Sequence, residues 1–79
     1  YVGHVTEIDA EGWATVEVKN RFAVGDTLEI IHPEGNQTVT LEQMTRKGAA
    51  VEVAPGNGIQ VKIPNMQGKE KALLARVIK

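Results

Sequence analysis

Seventy-nine residues with a hydrophobic fraction of 42% suffice for one small globular domain and exclude a second. There is no Cys and no Ser, which excludes a disulfide framework, a thiolate metal site and the two commonest side-chain nucleophiles. The formal net charge of −1 hides an asymmetry: residues 1–61 carry four Lys/Arg against nine acids, whereas residues 62–79 carry five against Glu70 alone.

Three aromatics (Tyr1, Trp13, Phe22) are few for a binder that stacks several bases on exposed rings. No apolar run approaches the roughly 18 residues that a bilayer span needs, and no signal-peptide pattern opens the chain. A cytoplasmic location and no membrane partner are therefore expected. The first residue is Tyr1 and not Met, so the chain reads as a processed product or, the favoured reading, the excised C-terminal domain of a longer protein.

Val2 to Asp9 is rich in β-branched residues and ends in Asp9-Ala10-Glu11-Gly12, a hairpin turn. Trp13 to Lys19 alternates, with Ala14, Val16 and Val18 on one face, as a half-buried strand does. Trp13 itself is either partly exposed or packed on a neighbouring domain. Asn20 to Asp26 bends the chain, and Thr27 to Ile31 resumes the alternation with Leu28 and Ile30 inward. His32-Pro33-Glu34-Gly35-Asn36 is the strongest turn signal, because Pro fixes φ and Gly tolerates positive φ.

Gln37 to Leu41 places Val39 and Leu41 inward, and Glu42 to Lys47 suits either a continuing strand or a helical turn. After Gly48, Ala49 to Ala54 reads as one strand with Val51 and Val53 facing in, closed by Pro55-Gly56-Asn57-Gly58. Ile59, Val61 and Ile63 form one face of the next strand, and Pro64 to Gly68 is a loop. Ala72 to Ile78 suits a strand or a short helix; the strand is favoured because it would close the sheet and remove its edges. Six or seven short strands with turns between them predict an all-β fold, a small closed antiparallel β-barrel occupying residues 1–79.

No constellation of reaction chemistry emerges. His4 and His32 have no acids at ligand spacing, so no metal or cofactor is expected. Glu7, Asp9, Glu11 and Glu29 read as a solvated strand face, since catalytic carboxylate pairs need a cleft. Pro55-Gly56-Asn57-Gly58 and Val24-Gly25-Asp26 lack the spacing of phosphate loops, and Met44 and Met66 read as core.

Two features go further. Asn20-Arg21-Phe22 combines a residue tolerant of left-handed backbone, a planar donor fork and a large ring. The plainer reading makes Phe22 a barrel plug and Arg21 a local ion-pair partner. The functional reading gives all three to an inter-domain or substrate-facing surface. Lys69, Lys71 and Arg76 are either a solvated, pairing-resistant edge or contacts for RNA phosphates.

Val24 to Ile30, the Val39-Thr40-Leu41 strand and Gly56-Asn57-Gly58-Ile59-Gln60-Val61 resemble the second domain of translation elongation factors, a six-stranded barrel. More specifically, Glu17 to Glu29, with its Lys19-Asn20-Arg21-Phe22 run, resembles the C-terminal domain of the collagenase-like protease family, peptidase family U thirty-two. Tyr1 to Val5, the Met44 region and Ala54-Pro55-Gly56 agree, so the resemblance covers nearly the whole chain. It implies a parent enzyme, either a protease or a protein of tRNA wobble-uridine or ribosomal RNA hydroxylation. The family's presumed active site and its cysteines lie in a larger N-terminal domain, so no catalytic residue carries over. The resemblance implies a non-catalytic accessory domain that positions or recruits substrate, tRNA or other RNA or a protein, for that catalytic domain; its partners are that domain and, as a candidate, RNA. The alternative is a purely structural domain that touches no substrate.

Overall fold

A computed structural model describes residues 1–77 of the chain. Ile78 and Lys79, the end of the expected last strand and of the basic tail, lie outside the described residues. Every regular element described is a β-strand: β1 (Gly3–Ile8), β2 (Ala14–Val18), β3 (Phe22–Ala23), β4 (Thr27–His32), β5 (Gly35–Thr40), β6 (Thr45–Arg46), β7 (Ala49–Ala50), β8 (Val53–Ala54), β9 (Gln60–Ile63) and β10 (Leu73–Arg76).

β1 and β2 form a hairpin because Asp9 organises the turn between them. Its Oδ1 accepts the backbone N–H of Glu11 at 2.9 Å and of Trp13 at 3.1 Å, and its own N–H donates to the Trp13 carbonyl at 3.0 Å. An Asp at the head of a turn supplies this local acceptor where the ladder has none. Within β1 the register slips between Val5 and Glu7, leaving Thr6 as a bulge whose Oγ1 donates to the Thr15 carbonyl at 3.2 Å. The slip puts both Thr6 and Glu7 on the solvent side, which strict alternation cannot do.

The antiparallel ladders run in the order β5-β4-β10-β1-β2-β9-β6-β7, with β3 and β8 paired separately. The all-β antiparallel class is as expected from the alternating runs. Among the described residues the eight-strand order has two ends, β5 and β7, and no ladder joins them into a ring. The strands number ten instead of six or seven because three segments make only two-residue ladders at corners. One is Phe22–Ala23, inside the bend after β2. Another is Thr45–Arg46, where the sequence left strand and helical turn open. The run 49–54 supplies two more short strands by changing partners: Ala49–Ala50 pairs with β6, and Val53–Ala54 pairs with β3.

That change of partner corrects one expectation. Val53 does not face in; it is 40% exposed, and Ala54 beside it is fully buried. Because neighbouring residues of a strand point to opposite faces, only one of the two can fill the core. Ala54 lies directly opposite Phe22, a ring that leaves room for a small partner only.

The other inward positions hold. Ala14, Val16, Val18, Leu28, Ile30, Leu41, Val61 and Ile63 are buried in one cluster with Met44, Met66, Phe22 and Leu74, the last of which carried no expectation, and Val39, Val51 and Ile59 pack against it half-buried. The last segment is a strand: β10 inserts between β1 and β4, where it is bonded on both edges. That position is available to a strand alone.

Candidate interaction surface

The chain leaves β2 at Val18 and turns at once against its own start. The N–H groups of Lys19 and Asn20 donate to the Val2 carbonyl at 2.8 and 3.3 Å. The Asn20 side chain donates from Nδ2 to the Tyr1 carbonyl at 2.6 Å. Asn20 is therefore a clamp that fixes the first residues beside the β2–β3 corner. Arg21, next in line, is exposed and has no carboxylate within 4 Å among the described residues. It is not the local ion-pair partner of the plainer reading.

Phe22 behaves differently from its two neighbours. It is completely buried, so its ring offers nothing to a surface contact. A large apolar ring gains about 2–3 kcal/mol by leaving water, which decides its direction at a corner where one side is core and the other solvent. Phe22 anchors the corner from beneath, and Asn20 and Arg21 are what the corner presents.

Asp26 closes the same region. Its Oδ2 accepts the Ala23 N–H at 2.8 Å and stands 3.3 Å from Nε of Arg76. Arg76, expected as a free phosphate contact, is thus already engaged by a carboxylate, with its side chain 44% exposed. An ion pair this open contributes little stability, about 1 kcal/mol or less, and can be exchanged for another anion.

Lys69 and Lys71 sit in the turn that leads into β10. Met66 accepts the Lys69 N–H at 3.1 Å, and Lys69 accepts the Ala72 N–H at 3.1 Å. Lys71 is exposed with φ of 63°, Lys69 is half-buried, and neither meets a carboxylate among the described residues.

The ladder register places the six sequence candidates at opposite ends of the sheet. Gly3 pairs with Val18 on one side and with Leu74 on the other, so the C-terminal ends of β2 and β10 lie at the same end as the start of β1. Asn20, Arg21 and Arg76 belong to that end. Lys69 and Lys71 precede β10 and belong to the other, beside the Asp9–Gly12 turn that Gln67 reaches through the Glu11 carbonyl at 3.4 Å.

The sequence reading missed a third cationic group. Thr15 pairs with Lys62, and Lys62 with Thr45, so β2, β9 and β6 bring Lys62 alongside Arg46 and Lys47 on the walls of an open cleft of about 660 Å³. The only signal in the sequence was the Lys47-Gly48 pair, the turn that reverses the chain from β6 into β7.

Among the described residues, no three His, Asp or Glu side chains are placed to share a metal ion, and no helix is long and apolar enough to cross a membrane. His32 takes part in its turn, with Nδ1 accepting the Glu34 N–H at 3.2 Å, and His4 faces Glu17 across the β1–β2 ladder at 3.9 Å.

Three comparisons bear on what this surface serves. The profile described as the peptidase family U32 C-terminal domain matches residues 1–76. The tRNA hydroxylation protein P of Escherichia coli is 46% identical over 79 aligned residues, and that of Haemophilus influenzae 36% identical over 80. Each alignment covers 96% of this chain, and the chain spans only 17% of the length of either relative. A crystal structure of the C-terminal domain of a Geobacillus thermoleovorans protein assigned to the U32 peptidases superposes with a TM-score of 0.88 at 26% identity, covering 99% of this chain and 92% of that one. Its selenomethionine variant gives 0.79 at 27% identity, covering 94% and 95%.

Proposed function

Because the chain belongs to the family of peptidase family U32 C-terminal domains, we propose that it is a non-catalytic accessory domain of a larger enzyme. It positions or recruits substrate for a catalytic domain elsewhere in the parent, and that substrate is RNA, with tRNA the first choice. The observation that carries the reading is the 46% identity, across 79 residues, to a protein named for tRNA hydroxylation. The physical support is cationic. Arg21 and Lys71 are exposed and Lys69 half-buried, none with a carboxylate partner among the described residues, and the Arg76 pair is open enough to exchange. Cations left without intramolecular partners are free to neutralise phosphates, which is the source of affinity for nucleic acid regardless of sequence.

The Asn20–Arg21 corner has a second use in this reading. It lies against Tyr1 and Val2, so a domain preceding residue 1 meets that corner first. Phe22 holds the corner rigid. The chemistry resides in the catalytic domain, in the compartment where tRNA is modified, the cytoplasm, and this chain supplies no cofactor ligand to it.

A purely structural role has its own observation: Tyr1, Val53 and Val77 are exposed, at 71, 40 and 37%. Apolar side chains of this kind would be covered by a neighbouring domain. The parent protein, intact and lacking these residues, separates the readings through tRNA affinity and thermal stability. Loss of tRNA affinity with the unfolding midpoint of the remainder unchanged supports recruitment. Unchanged affinity with a lowered midpoint gives the chain to the structural role instead.

A further inference from the structure

The cleft between β2, β9 and the β6–β7 hairpin accounts for a feature that packing leaves unexplained. Its floor is a lateral row of cross-strand partners, Glu7, Thr15, Lys62 and Thr45, set across four adjacent strands. Arg46 and Lys47 line it at the β6–β7 turn, and Gln60, on the same face of β9 as Lys62, adds an amide. Three cations therefore share one open space with a single carboxylate, Glu7. Among the described residues none of the three lies within 4 Å of any carboxylate. The chain is net acidic, with nine acids in residues 1–61 alone, so partners for exposed Lys47 and Lys62 and half-buried Arg46 were available to the fold and were not used.

The hairpin that carries Lys47 adds an independent observation. Lys47 and Gly48 both have positive φ, 54° and 81°, the signature of a two-residue turn with left-handed backbone at both central positions. Asn-Gly or Asp-Gly is the favoured chemistry for such a turn, because a long side chain gains nothing there and loses backbone freedom. A Lys at the first position costs the turn and places an ammonium at the lip of the cleft. Lys71 has the same backbone at φ 63°, so the strain marks both lysines as held in place, and the company of Arg46 and Lys62 is what distinguishes Lys47.

We propose that this cleft is a binding site for the sugar-phosphate backbone of RNA, with Arg46, Lys47 and Lys62 neutralising phosphates and Thr15, Thr45 and Gln60 offering hydrogen bonds to phosphate and ribose oxygens. The proposal rests on the reading of the chain as an RNA-recruiting domain and assigns the contact to a place distinct from Lys69 and Lys71. Guanidinium and ammonium groups suit phosphate oxygens, the guanidinium as a fork and the ammonium as a point charge. The open shape suits a backbone and not a stacked base, since no aromatic side chain lines it.

The test is binding of the 79-residue chain to fluorescently labelled unmodified tRNA transcript, measured by anisotropy across a series of salt concentrations. Lys47→Asn, Arg46→Gln and Lys62→Gln are compared singly and together with the double variant Lys69→Gln/Lys71→Gln. Each groove substitution is expected to lower the slope of log affinity against log salt by roughly 1, and the triple variant to lose about tenfold or more in affinity at low salt. Lys47→Asn is the most informative, because Asn suits the turn: its unfolding midpoint stays level or rises while affinity falls. Binding that survives the triple variant and disappears with Lys69→Gln/Lys71→Gln overturns the groove and leaves RNA recruitment standing. Absence of binding by the unaltered chain overturns both. A parallel NMR titration with poly-glutamate covers the remaining occupant: shifts of the Thr15 and Lys62 amides with that polymer and none with tRNA would give the cleft to an acidic protein segment and overturn the proposal.

Discussion

Phe22→Ala is expected to destabilise the chain by about 3–5 kcal/mol, the usual cost of emptying a buried aromatic site. A domain of this size holds only about 4–12 kcal/mol in total. The variant should therefore melt about 15 °C or more below the parent sequence, and it should be partly unfolded at physiological temperature. The size of the effect follows from position. Phe22 is wholly buried, it belongs to the main core although its strand pairs only with Val53–Ala54, and Ala54 opposite is too small to collapse into the space. Phe22→Leu keeps most of the apolar contact and should lose clearly less. Thermal unfolding followed by far-ultraviolet circular dichroism reads both. A midpoint unchanged by Phe22→Ala would mean that the β3–β8 ladder is not packed on the core.

Gly3→Ala is the second large effect, and its cause is the opposite one, too much volume. A β-carbon at Gly3 would stand 2.6 Å from the Glu17 carbonyl oxygen and 2.9 Å from Val16 Cγ1. The oxygen belongs to backbone and cannot rotate away. β2 cannot retreat either, because β9 holds it from its other edge, and β1 cannot shift because β10 holds it on the other side. The expected loss is about 3 kcal/mol, at the upper end for an added carbon in a packed interior. Amide exchange should report it as faster opening of His4 and Glu17, which face each other in the β1–β2 ladder. Unaltered exchange and an unaltered midpoint would show that the two strands can separate at that point without cost.

The two residues also mark what the amino-acid sequence discloses and what it withholds. Alternation reads reliably where a strand keeps one partner on each side along its length. Ala14, Val16 and Val18 in β2, Leu28 and Ile30 in β4, and Val61 and Ile63 in β9 are buried as their spacing requires. It fails where the chain changes partner in mid-run. In residues 49–54 the rule puts Val53 on the same inward face as Val51, but the change of partner after Ala50 resets which face is inward, and Ala54 opposite Phe22 is the buried residue. The bulge at Thr6 is a failure of the same kind. Gly3 carries no local signal at all, since the need for Gly there arises from a strand that begins eleven residues later.

The surface was harder to read than the core, for a related reason. Lys69, Lys71 and Arg76 stand out as a run of charge, yet the fold sends the two lysines to one end of the sheet and Arg76 to the other, where Asp26 meets it. Arg46, Lys47 and Lys62 do not stand out as a run, because fourteen residues lie between Lys47 and Lys62. A ladder between Thr45 and Lys62 brings them together, and pairing of that range is invisible to spacing along the chain. Charge in a sequence counts sites, and only the register says which of them share a surface.

The central claim, that this domain contacts RNA on behalf of a catalytic domain, is tested most directly by titrating the isotope-labelled 79-residue chain with bulk tRNA and recording amide shifts at low and at physiological salt. The account predicts shifts at low salt confined to cationic surface, with the amides of Thr15, Arg46 to Gly48 and Lys62 foremost, shrinking as salt rises because released counterions drive the association. A spectrum unmoved by tRNA at low salt, where phosphate contacts are strongest, would contradict it and leave the chain as a structural domain of its parent.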